Sequence, residues 1–115
     1  FVLKDNEHLL SGEKLIDALK LLKKKQVDTV LINCNSIKRT YQSMNIISEN
    51  WTGSWGIYPN LGIGEPSIDG KITKYSSMDD FSDLITQAIN IGANILGACC
   101  GSSPEHIKQI KKLLH

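Results

Sequence analysis

Strand-like and helix-like apolar periodicities take turns along this chain, and that alternation limits the fold more than any other feature. Phe1–Leu3 is a short apolar run that reads as a strand entering the fold. Leu15, Leu19 and Leu22 recur at helical steps behind Ser11 and Gly12, and the stretch closes on Lys23, Lys24 and Lys25, which suit the negative end of a helix dipole. Thr29–Ile32 is a β-branched buried strand, followed by a helical face of Ile37, Tyr41, Met44 and Ile47. Trp55–Tyr58 reads as a third strand stopped by Pro59, and Asn60 to Ser77 as a long Gly-, Pro-, Ser- and Asp-rich loop of the kind that often carries function. Phe81, Leu84, Ile85 and Ala88 mark a third helix face, and Asn94–Ala98 a fourth strand. Ser103–Pro104 opens a last helix, with Ile107, Ile110 and Leu114 as its buried side.

Four strand–helix units in a row predict an α/β fold with a parallel sheet and right-handed crossovers. An open α/β sheet or part of a (β/α)8 barrel fits; a whole barrel takes about 250 residues, so 115 residues would supply roughly half of one. The missing initial Met suggests a processed or excised segment, and the expected domain is 1–115 as one unit. A net charge of +1 gives no reason to expect nucleic acid or an anionic membrane surface, and the three lysines read as a solvated helix end. No apolar run approaches the roughly 18 residues of a membrane span. Gly62-Ile63-Gly64 lacks the third glycine and the following helix of a dinucleotide fingerprint. An odd cysteine count excludes a fully paired disulfide framework, and the simpler setting is a reducing, cytoplasmic one.

The chemistry concentrates in three cysteines. Cys34 follows one strand, and Cys99 and Cys100 follow another. Parallel strands share one carboxyl edge, where α/β folds build their sites, so residues distant in sequence converge there. Three thiolates would hold Zn²⁺ and leave a fourth position open. Adjacent cysteines on a regular strand point to opposite faces, so both reach one metal only if the chain bends, which Gly97 and Gly101 would permit. The alternatives at this stage are buried, inert thiols, or a redox-active cluster with a vicinal Cys99–Cys100 disulfide. His106, near the start of the last helix, reads as a surface or packing residue.

Three segments carry a family resemblance. Gly97-Ala98-Cys99-Cys100-Gly101-Ser102-Ser103-Pro104-Glu105-His106-Ile107 resembles the Gly-Gly-Cys-Cys-Gly-Thr-Thr-Pro-Glu-His-Ile signature of the homocysteine S-methyltransferases. Asn33-Cys34 resembles that family's Asn-Cys element, and Tyr58-Pro59-Asn60 with Gly62 its Tyr-Pro-Asn-x-Gly element. Ala98 departs from the second glycine, and Gly101, where many members carry Arg, resembles the methionine synthase-like branch. The resemblance implies the C-terminal half of a TIM barrel, about its last four β/α units. It implies Zn²⁺ held by Cys34, Cys99 and Cys100, and transfer of a methyl group to the thiol of homocysteine to give methionine. The methyl donor would be betaine, S-methylmethionine or a methylfolate. The elements that hold the amino-acid end of the substrate have no counterpart here, so an upstream half-barrel is expected, or else oligomerisation, with little activity from the segment alone. Asn60 is expected at the pocket as a substrate-binding residue, its amide oxygen near the open zinc position. The competing reading is a non-catalytic half-barrel with a structural zinc or redox-active cysteines.

Overall fold

The computed structural model describes residues 1–5, 7–63, 68–69 and 74–114. Helices and strands alternate as α1 (Leu15–Lys24), β1 (Thr29–Ser36), α2 (Ile37–Asn50), β2 (Ser54–Asn60), α3 (Met78–Asn90), β3 (Ile95–Leu96) and α4 (Pro104–Leu113). The strands form one parallel sheet in the order β1-β2-β3. Each helix packs on the next, α1 on α2, α2 on α3 and α3 on α4, and α2 also packs on β1 and β2. The molecule is therefore a slab of one sheet and one helix layer, 17 Å in its thin dimension.

Strand alternation decides which face carries the core. Val30 and Ile32 of β1 and Trp55 and Ile57 of β2 are buried against the helices, where they meet Leu15, Leu19, Met44, Ile47, Phe81, Leu84, Ile85 and Ala88. The intervening residues Leu31, Asn33 and Tyr58 lie on the other face and are only partly covered. Local chemistry sets the helix starts. Ser36 is both the last residue of β1 and the cap of α2, accepting the Arg39 N–H, and Ser77 caps α3 by accepting the Asp80 N–H. Asp79 and Asp80 then sit at the positive end of α3.

Four expectations need correction. The predicted Phe1–Leu3 strand is reduced to an edge contact: Phe1 donates to the Leu31 carbonyl and accepts from the Asn33 N–H, and Leu3 then pairs antiparallel with Leu9. Pro59 does not stop β2, which runs to Asn60; proline lacks a donor, but its carbonyl still accepts the Cys99 N–H at 2.9 Å. The fourth predicted strand is regular only at Ile95–Leu96, although Gly97 still donates to the Ile57 carbonyl. On α4 only Ile110 is buried, while Ile107 and Leu114 are more than half exposed. Among the described residues that helix ends the layer and packs chiefly on α3, and part of its apolar stripe stays exposed. Much of the Asn60–Ser77 loop lies outside the described residues, but its two ends pair antiparallel, with Gly62 opposite Tyr75.

Candidate metal centre

The three cysteines meet at the carboxyl edge of the sheet, their sulfurs all within 4.8 Å of one another. Sequence alternation alone would not have brought Cys34 there. Val30, Ile32 and Cys34 share a parity, so a regular strand would turn Cys34 toward the helix layer. Two irregularities prevent that. From Asn33↔Tyr58 to Ser36↔Asn60, β1 spends three residues where β2 spends two, and Cys34 itself adopts φ +58°. A left-handed conformation costs a non-glycine residue about 1–2 kcal/mol, and strain of this kind clusters at functional sites. Neighbouring groups hold the kink. Asn35, buried, accepts the Leu3 N–H at 2.8 Å and donates to the Asn33 carbonyl, and Thr40 donates to the Ser36 carbonyl.

Cys99 and Cys100 are positioned by turn geometry. The Cys99 N–H donates to the Pro59 carbonyl, the Leu61 N–H to the Cys100 carbonyl, and Ser102 closes the turn by donating from both its N–H and its hydroxyl to the Cys99 carbonyl. Gly101, at φ +81°, supplies the bend expected of it. Gly97 acts differently, through space: the Tyr58 ring lies so close that an added Cβ would meet Cε1 at 2.2 Å. The turn feeds α4, whose Ser103 N–H donates to His106 Nδ1 at 3.0 Å. The His106 ring meets Phe81 edge-on at 5.0 Å, so this histidine packs as expected and also caps the helix, a role the sequence had not suggested.

The sulfurs are not equivalent. Cys34 and Cys99 are half-buried and in direct contact, paired as a disulfide with Cα atoms 5.7 Å apart, and Cys100 is exposed with a free thiol. The Cys99 and Cys100 sulfurs are 3.8 Å apart and are not bonded to each other as in the vicinal disulfide considered from the sequence. The cluster thus has two chemical states open to it: one disulfide plus one thiol, or three thiolates converging on one point. Three soft sulfur donors, without carboxylate or imidazole among them, suit zinc better than a hard cation. Asn60 lies at the end of β2, between the strands that bring in Cys34 and Cys99, and is half-buried. Its Oδ1 accepts the Gly62 N–H at 2.8 Å, the local turn that asparagine favours at loop starts. A role for that oxygen toward a metal requires exchanging this bond.

Comparison with known proteins places the cluster in context. The homocysteine S-methyltransferase family profile matches residues 1–114. Homocysteine S-methyltransferase 1 of Zea mays is 26% identical over 116 residues, covering 96% of this chain and 35% of that protein. Among solved structures, the homocysteine methyltransferase MmuM from Escherichia coli is similar in its metallated form (TM-score 0.76, 27% identity, 97% of this chain and 33% of that one). It is also similar in its oxidized form (TM-score 0.75, 26% identity, 96% of this chain and 33% of that one). The chain spans about a third of the length of the relatives it matches.

Proposed function

This chain belongs to the homocysteine S-methyltransferase family, and we propose that it is the zinc-binding segment of an enzyme that methylates the thiol of homocysteine. The observation that carries the reading is the convergence of Cys34, Cys99 and Cys100 at one strand edge. Similar E. coli structures are known in a metallated and an oxidized form, which supports reading this cluster as one that can hold a metal.

The residues present fit Zn²⁺ with three sulfur ligands. When bound, the ion would supply the charge that keeps a thiol substrate deprotonated near neutral pH, where a free thiol of pKa about 8.5 is mostly protonated. Cys34 and Cys99 hold the inner side of the site. Cys100, exposed, forms its rim, where substrate enters. Three cysteinates carry more negative charge than the ion neutralises, which favours electron density on the substrate sulfur. That sulfur takes the methyl group with its own electron pair, and the donor departs with the pair of the broken bond. Asn60 is assigned to the substrate pocket through the end of its carboxamide that does not hold Gly62.

The single sheet and helix layer is read as about the last four β/α units of a (β/α)8 barrel, with residues 1–115 as part of its homocysteine-binding domain. The amino-acid end of the substrate and the methyl donor then contact residues beyond this segment, and a cytoplasmic setting would keep the cysteines reduced. Zinc stoichiometry of the reduced protein tests the reading. One zinc per chain is expected, falling sharply in Cys34→Ser, Cys99→Ser and Cys100→Ser. Full, tight zinc retention by all three variants would refute it.

A further inference from the structure

The connection from β2 to α3 is tied to the cysteine turn at both of its ends. On leaving β2, Leu61 donates to the Cys100 carbonyl at 2.9 Å. On returning, Lys74 accepts the Ile63 N–H at 2.8 Å and Ser76 donates to the Leu61 carbonyl at 2.6 Å, closing a short antiparallel stem. Tyr75 lies in that stem, and its ring is laid on Gly101: a Cβ at position 101 would meet Tyr75 Cδ1 and Cε1 at 2.6 Å. Tyr75 is 52% exposed as a residue, so it is not a core side chain. Its ring covers the backbone of the residue that follows Cys100, in a turn whose glycine, at φ +81°, has no side chain of its own to fix its conformation.

We infer that Tyr75 is a positioning residue for the metal cluster: its ring, seated on Gly101, holds the Cys99–Cys100 turn in its ligating form and couples the β2–α3 stem to the metal. The inference rests on the zinc reading above. Binding needs three sulfurs at one point, and any freedom in the Gly101 turn lowers the fraction of chains that present them. The ring removes that freedom. Coupling is reciprocal, so an ion that fixes the turn also fixes the stem that rests on it. Residues that orient metal ligands from behind are typically worth 10–100-fold in metal affinity.

The experiment uses the full 115-residue chain, reduced, as wild type, Tyr75→Ala and Tyr75→Phe. Zn²⁺ affinity is measured by competition with a chromophoric chelator, Co²⁺ absorption reports the ligand field, and amide exchange at Ile63 and Ser76 is followed with and without Zn²⁺. Tyr75→Ala is expected to lose about 10–100-fold in zinc affinity, alter the Co²⁺ spectrum and lose the zinc-dependent protection of the stem. Tyr75→Phe, which keeps the ring, is expected to stay far closer to wild type than Tyr75→Ala in affinity, spectrum and stem protection. Wild-type affinity and spectrum in Tyr75→Ala, or equal stem protection by zinc in both proteins, would overturn the inference while leaving the zinc centre standing. A wild-type chain that binds neither ion would overturn both.

Discussion

Replacing Gly97 with alanine tests how closely the sheet is fitted beneath the site. The new Cβ would lie 2.2 Å from Tyr58 Cε1 and 2.6 Å from Cδ1 and Cζ, well inside contact distance for three ring carbons. The Tyr58 backbone cannot back away, because it is paired with Asn33 across β1 and β2. Either the ring leaves its rotamer or the strand after β3 backs away, giving up the bonds from Gly97 to Ile57 and from Cys99 to Pro59. Overpacking of this kind costs about 1–3 kcal/mol. At about 4–8 °C per kcal/mol for a domain near 100 residues, the melting temperature falls by roughly 5–20 °C. Differential scanning calorimetry of the reduced protein measures it. Adding Tyr58→Ala to Gly97→Ala removes the clash, so the double variant is expected to be more stable than the sum of the two singles implies, by about 1 kcal/mol or more. A Gly97→Ala variant within about 0.5 kcal/mol of wild type, or strict additivity, would refute the reasoning.

Other outcomes follow from the same geometry. Gly56→Ala drives a Cβ to 2.1 Å from the Ile95 carbonyl oxygen, a backbone atom, so it is expected to unpair β3 and cost more than Gly97→Ala in urea denaturation. Cys34→Gly is expected to be about 1 kcal/mol more stable than Cys34→Ala in the metal-free, reduced protein, because glycine adopts φ +58° without strain; equal midpoints would remove the strain argument. His106→Ala loses the acceptor for the Ser103 N–H and the edge contact with Phe81, an expected cost of about 1–2 kcal/mol by thermal melting. The Asp5 carboxyl, held down to about 2 chiefly by the Glu7 backbone N–H and then by His8, is a depressed carboxylate. Its contribution is present above the unfolded value of about 3.9 and disappears as pH falls through about 2, so an NMR titration of Asp5 with a midpoint near 4 would contradict the turn.

The parallel order and the helix faces were legible because burial imposes period on sequence. Val30 with Ile32, and Phe81 with Leu84, Ile85 and Ala88, read directly as sides of elements that meet in one core. The meeting of the cysteines was legible too, since parallel strands share an edge. What stayed hidden was how each sulfur gets there. Nothing in Asn33-Cys34-Asn35 announces a left-handed cysteine at a bulge; that conformation is enforced by Asn35 reaching Leu3, a contact made 32 residues away in sequence. The two glycines beside the cysteine pair looked alike, yet one supplies φ and the other room for a ring. The ends of the strands were misread for a related reason. β2 runs past the expected stop at Pro59 because the proline carbonyl still accepts the Cys99 N–H, whereas the expected Asn94–Ala98 strand is regular only at Ile95–Leu96, with single bonds from Gly97 and Cys99 beyond it.

Zinc X-ray absorption on the reduced, metal-loaded protein tests the central claim most directly. Three sulfur neighbours at about 2.3 Å with one lighter ligand are expected, changing to four sulfurs when homocysteine is added. A shell of nitrogen and oxygen, or a first shell that homocysteine leaves unchanged, would contradict it.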